Sequence, residues 1–181
     1  MAGQKTKSQI GRGSRQKGQR GERDVIKLLK QHFPEWEFKR TPMSGGWGGS
    51  PEFKTCGDIV TNCPDWAYTI EVKHQKALSF LHVLQFSGEI KEWFTQVMQD
   101  AKKNNNTPLL VFRRNNVPWY VLTFCDTFID SHALAHIRVK FEYEGDGIMH
   151  GIKTALAFVA FNTFLEKYKE ARQWNYKPSS K

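Results

Sequence analysis

Two short apolar stretches carry acids where neighbouring strands would leave them side by side. Gly57-Asp58-Ile59-Val60 and Tyr68-Thr69-Ile70-Glu71-Val72-Lys73 are rich in β-branched and aromatic residues, which predicts strands over 57–61 and 66–73. Between them Asn62-Cys63-Pro64-Asp65 is turn chemistry, because proline suits a turn and is barred from a central strand. A hairpin symmetric about Pro64-Asp65 sets Asp58 opposite Glu71. Directly opposed side chains stand ~5 Å apart, where two carboxylates repel by roughly a few tenths of a kcal/mol or more. The two-residue period of a strand puts Lys73 on the face of Glu71 and turns Ile70 and Val72 the other way. A divalent cation relieves that repulsion. Hard oxygen donors suit Mg²⁺, and Mn²⁺ is expected to substitute.

The Asp on one strand and (Asp/Glu)-x-Lys on the next resemble the active-site pattern of the PD-(D/E)xK nuclease superfamily. The tripeptide alone is a weak signal, since it occurs five times, at Glu37, Glu52, Glu71, Glu89 and Asp100. Only Glu71-Val72-Lys73 ends an apolar strand and has an acid on the strand before it.

The elements that must position these residues follow in order. A helix is predicted from about Gly21 to Phe33, with Glu22, Val25, Ile26, Leu29 and Phe33 on one face. Glu22 reads in two ways. It is an acid favoured in a helix's first turn by the dipole, or, beside Asp58 and Glu71, a third acid near the metal, which we favour. Trp36 to Thr41 alternates as a strand. The glycine-rich run from Pro42 to Pro51 lacks the Gly-Lys-Ser/Thr of a P-loop. Its Trp47 suits either base stacking or a hydrophobic gap. Residues 77–87 read as a short helix or a loop. Glu89 to Lys103 is the clearest helix, because Ile90, Trp93, Phe94, Val97, Met98 and Ala101 form one stripe facing a sheet. Strands are predicted over 109–113 and 119–124, then over 137–143 and 154–161. Asp126-Thr127-Phe128 could cap a short helix, and Asn162 a final one over 163–173.

The 181 residues bound a single domain, 21–175, with an N-terminal arm of residues 1–20 and a tail of residues 176–181. The net charge of +9 is uneven. Residues 1–20 hold six Lys and Arg and no acid, leaving +3 for the remainder. That arm has little to bury, so disorder is expected in the free protein, and its charge suits attraction to DNA phosphates. Three cysteines without Cys-x-x-Cys spacing argue against a disulfide framework and for a reducing cytoplasm. Cys56 and Cys63 with His74 or His82 match no structural zinc spacing. No apolar run is long enough for a membrane span. The expected setting is the cytoplasm of a bacterial or phage-infected cell, in association with the nucleoid.

Over about residues 21–124 the sequence is similar to the archaeal-type Holliday junction resolvases and their phage-borne relatives. The landmarks are Gly21-Glu22-Arg23, Lys39-Arg40-Thr41, Ser44-Gly45, Gly57-Asp58-Ile59 and Glu71-Val72-Lys73-His74. The resemblance implies a restriction-endonuclease-like α/β fold: a mixed sheet flanked by helices, core order αβββαββ, here with additional C-terminal strands and a helix. It implies a metal site of Glu22, Asp58, Glu71 and the Val72 carbonyl, with Lys73 as catalytic lysine. Arg40 and Ser44 would contact substrate phosphate, within an expected DNA surface of Arg20, Arg23, Gly45, Trp47, His74 and Gln75. Gln75 is close enough for a supporting role, though a surface glutamine is the favoured reading. The family's members are homodimers that cut opposite strands of a four-way junction. The longer glycine loop before Asp58 and the strands after Asp126 depart from the pattern. They leave open a PD-(D/E)xK endonuclease of another type, restriction or DNA-processing, or a non-catalytic DNA-binding protein.

Deleting residues 1–20 should weaken DNA binding and flatten its salt dependence, because fewer counterions are released, while stability changes little. An unchanged slope of log K against log[salt] would show that the arm does not touch phosphate.

Overall fold

A computed structural model describes residues 7–41, 54–125, 129–145 and 148–175. In order, the chain forms α1 (Lys7–His32), β1 (Phe38–Arg40), β2 (Lys54–Cys56), β3 (Ile59–Thr61) and β4 (Tyr68–Gln75). There follow α2 (Phe80–Leu84), α3 (Gly88–Lys103), β5 (Thr107–Arg114) and β6 (Tyr120–Phe124). A 3-10 turn (Asp130–His132), β7 (Ala135–Gly145), β8 (Ile148–Ala160) and α4 (Phe161–Asn175) complete it. The main sheet has five strands in the order β4-β5-β6-β8-β7, and a small sheet has the order β1-β3-β2.

The pairing of β4 with β5 is parallel and the other pairings in the main sheet are antiparallel. A parallel pair needs a crossover, which α2 and α3 supply. The stripe of Ile90, Trp93, Phe94, Val97 and Met98 packs on Leu110, Phe112 and Leu122. On the opposite face Val25 and Leu29 of α1 and Phe33 just past it, with Phe164 and Leu165 of α4, cover Ile70, Val72, Val111 and Val121. Both faces of the sheet are therefore covered in the expected mixed α/β arrangement, but the core order is αββββααββ and not αβββαββ, because β2 and the short α2 add to it. Among the described residues aromatic side chains gather in this core. Trp66 meets Phe33, Phe38, Tyr68 and Tyr168 edge-on, with ring centroids 5.3–6.1 Å apart.

Several expectations change. The stretches 57–61 and 66–73 are not a hairpin, because β3 pairs antiparallel with β1 and β2, whereas β4 pairs with β5. Turn chemistry at 62–65 bends the chain but does not choose a strand's partner. From Tyr68 to Val72 every residue of β4 is buried, as in a strand covered on both faces. Helix α1 begins at Lys7, so residues 7–20 are helical and not a disordered arm. Among the described side chains of α1 the buried positions are Gly21, Val25 and Leu29, continued by Phe33 just past the helix, and Glu22 lies half-buried on the flank of that stripe. Asn162 lies inside α4 and does not cap it. Residues 126–128, 42–53 and the tail of 176–181 lie outside the described residues.

Glycines in α1 give a test of this packing. A Cβ at Gly18 would meet nothing within 4 Å, whereas at Gly21 it would meet the His74 Cβ at 3.2 Å and Trp119 at 3.3 Å. Gly18→Ala should stabilise the protein by about 0.5–1 kcal/mol, the usual helix-interior gain. Gly21→Ala should lose that gain or reverse it. Equal stabilisation in denaturant melts would mean that α1 does not press on β4 at Gly21.

Candidate active site

β4 is an edge strand of the main sheet, and the chain before β3 is laid across that edge. The close approach requires glycine. Gly57 has φ +78°, and a Cβ there would sit 2.3 Å from the Ile70 carbonyl oxygen. The next residue is thereby locked in place. The Asp58 N–H donates to the Ile70 carbonyl at 2.8 Å, and the Asp58 Oδ2 accepts the Val72 N–H at 2.8 Å. Thr41 holds the other side. Its hydroxyl donates to the Gly57 carbonyl at 2.5 Å and its N–H to the Asp58 carbonyl at 3.0 Å. Asp58 is thus pinned to the residues on either side of Glu71. The juxtaposition expected from a hairpin is present, made by a crossing chain.

Glu71 is buried and forms an ion pair with Lys73 at 2.5 Å. In register with Leu110 and Phe112, both residues lie on the α3 face of β4. Glu22 approaches from α1, on the opposite face, and its Oε2 pairs with the Arg40 guanidinium. Acids from three parts of the chain, α1, the turn before β3 and β4, therefore come near enough at one sheet edge to act on one another's charge.

Electrostatics record the crowding. Burial, reinforced by the Glu71 and Glu22 charges, pushes the Asp58 carboxyl up to about 7, against the pull of the Val72 N–H and of Lys73. Burial also raises Glu71, an effect that Lys73 opposes and the Asp100 and Glu22 charges reinforce. Among the described residues Lys73 pairs with Glu71 and Arg40 with Glu22, while Asp58 has no ion pair. The oxygen donor set, short of positive charge at neutral pH, fits a hard divalent cation. Such an ion would be held by Asp58, Glu71 and the Val72 carbonyl, whereas Glu22, expected as a third metal acid, is paired with Arg40 on the other face and does not join them in one ligand group.

The remaining expected residues are spread more widely. Arg20 and Arg23 are exposed on α1, and the Arg23 side chain donates to the Gln19 carbonyl of its own helix at 3.1 Å. His74 is half-buried, edge-on to Trp119 at 5.7 Å. Burial and then the Arg113 and Lys17 charges push it down, so it is largely neutral at neutral pH. Gln75 ends β4, and its carbonyl accepts the Asn115 N–H at 3.0 Å. Ser44, Gly45 and Trp47 lie outside the described residues.

The sequence reading missed Thr41 as the clamp on Asp58, and a cationic group next to β4. Arg113 stacks 4.4 Å from the Trp119 ring centroid and pairs with Asp24 at 2.8 Å. Burial, with Arg113 and Lys76 adding to it, lowers Lys17. Only the parallel register, which sets His74 beside Arg113, could have revealed this group.

Residues 13–174 match the model of the family described as "Phage putative PDDEXK endonuclease". The chain belongs to this family. It is a nuclease by that membership, and divalent-metal dependence is general among PDDEXK nucleases. No curated protein matches it. Among solved structures it is similar to Archaeoglobus fulgidus Hjc, a Holliday junction resolvase from an archaeal hyperthermophile. Identity is 18%, coverage is 82% of this chain and 99% of that one, and the TM-score is 0.42. That likeness is too loose to carry an argument. Among the described residues no helix is long and apolar enough to cross a membrane.

The raised Asp58 has a signed consequence. Between its usual value of 3.8 and about 7 the folded protein holds a proton that the unfolded chain releases. Its contribution is therefore fully present at the acid end and is lost as pH rises through that window, on the order of a few kcal/mol. Metal-free protein should melt lower at about pH 8 than at about pH 5, and Mg²⁺ should restore most of the loss. Asp58→Asn should flatten both responses. A pH-independent Asp58→Asn difference in calorimetric melting would contradict the crowding.

Proposed function

We propose that the chain is a Mg²⁺-dependent endonuclease that resolves four-way DNA junctions by paired phosphodiester hydrolysis, acting as a homodimer. The observation that supports the hydrolytic step is the pinning of Asp58 beside Glu71 with Lys73 on the same strand. A bound divalent ion would polarise a phosphoryl oxygen and lower the pKa of bound water. Asp58 and Glu71 hold their carboxylates where that ion must sit. Lys73 neutralises Glu71 in the metal-free protein. With Glu71 engaged elsewhere, its ammonium is free to orient the attacking water or to stabilise the added charge of the transition state. Arg40, close to Glu22, and the Lys17–Lys76–Arg113 group extend positive charge away from the acids and suit the phosphates that flank the cut. Junction choice is supported by the sequence resemblance over residues 21–124. A two-fold dimer would place two such sites on opposite strands, since its symmetry mirrors that of the junction.

Labelled four-way junction, duplex and single strand, each with and without Mg²⁺, test this reading. Paired nicks near the crossover are expected with Mg²⁺ alone, from a protein that is a dimer by light scattering. Asp58→Asn and Glu71→Gln should abolish cleavage and keep or tighten binding. Lys73→Met should slow it by about 10²-fold or more, the scale of losing one transition-state donor. Cleavage in excess EDTA, or an active Asp58→Asn protein, would overturn the metal site. A monomer cutting duplex as readily as junctions would make it a PD-(D/E)xK endonuclease of another type.

A further inference from the structure

A second group of metal-ligating side chains lies at the other end of the sheet, away from the acids. Cys125 follows β6, Asp130 opens the 3-10 turn, and His136 lies on β7. One ligand atom from each lies within 4.8 Å of the other two, and His136 Nε2 stands 3.8 Å from Asp130 Oδ1. Sheet order brings them together. β8 runs between β6 and β7, and the Cys125 N–H donates to the Ala155 carbonyl at 3.2 Å while His136 is in register with Ala157. Cys125 and His136 thus flank the same short length of β8, where Ala155 and Ala157 lie on one face and Leu156 on the other. Directly paired residues point to one face, and Cys125, Ala133 and Ala157 belong to the core beneath α1. Alanine at 155 and 157 leaves the space above β8 to the thiol and the imidazole. Asp130 closes it from the turn, whose backbone is fixed by the His132 N–H on the Ile129 carbonyl at 3.0 Å and the Ala133 N–H on the Asp130 carbonyl at 3.3 Å.

We propose that Cys125, Asp130 and His136 bind one zinc ion that clips the β6–β7 connection to β8. The donor types decide the metal. A thiolate with an imidazole selects a borderline ion such as Zn²⁺ over Mg²⁺, and three protein ligands leave the fourth tetrahedral position to water. Zinc–ligand bonds of about 2.0–2.3 Å put tetrahedral donors roughly 3.3–3.8 Å apart, so the three atoms need close by only about 1 Å. Asp130 and His136 are each half exposed, which gives the ion a path in. Binding deprotonates the thiol and so releases a proton. The site is separate from the nuclease reading and holds whether or not that reading does.

The test uses the full chain, treated with chelator and then given one equivalent of Zn²⁺ or Co²⁺. Alkylation of Cys125, read by peptide mass spectrometry, should slow by about tenfold or more in Zn²⁺, since protection grows as 1 + [Zn²⁺]/Kd. Co²⁺ should give a near-ultraviolet thiolate-to-metal charge-transfer band. Cys125→Ser and His136→Ala should each lose the band, whereas Asp58→Asn with Glu71→Gln should keep it. Unprotected Cys125 in the wild-type protein, or a band that survives His136→Ala, would overturn the proposal whatever the folding of the variants.

Discussion

The structure depends on one crossing: Gly57 and Asp58 laid across the edge of β4. The contact tolerates no side chain at Gly57, because a Cβ would lie 2.3 Å from the Ile70 carbonyl oxygen. It satisfies backbone groups that an edge strand would otherwise expose, since the Ile70 carbonyl receives the Asp58 N–H and the Val72 N–H is taken by the Asp58 carboxylate. The same two bonds that seal the edge hold a carboxylate beside Glu71. Edge protection and acid placement are one structural act.

The other elements serve that crossing. Thr41, just past β1, holds the carbonyls of Gly57 and Asp58. Gly21 lets α1 lie close on His74 and Trp119, which sets Glu22 at the sheet edge, and Arg40 pairs with it there. The parallel partner β5 buries β4 on its inner side and carries Arg113 into register with His74. Part of the fold's stability is set against this arrangement. Two carboxylates raised by burial disfavour the metal-free folded state above neutral pH, so a cation that binds there adds to stability as well as chemistry. The site is held by backbone bonds because its charges repel.

What could be read from the sequence was local. The stripe from Ile90 to Ala101 has one period and one interpretation, and α3 follows it. Asp58, Glu71 and Lys73 stood out through their strand contexts, and the structure brings them together. Pairing was not legible. Pro64-Asp65 promised a hairpin, but β3 joins β1 and β2, and the edge of β4 that a hairpin would use is taken by the short contact at Gly57. The all-buried run from Tyr68 to Val72 carries no alternation that could name a partner. Residues 7–20 lack an apolar stripe, so composition suggested disorder where the helix continues. The meeting of Cys125 and His136 depends on β8 entering the sheet between β6 and β7, which no spacing along the chain reveals.

At the centre is Asp58, kept protonated by burial and the neighbouring Glu71 charge until a cation takes the proton's place. Carboxyl-selective ¹³C NMR titration of the full chain, with and without saturating Mg²⁺, measures it directly. The account predicts that Asp58 titrates near 7 without metal and well below that value with Mg²⁺, because a bound divalent ion favours the charged form. An Asp58 that titrates near 3.8 in both conditions would contradict the account.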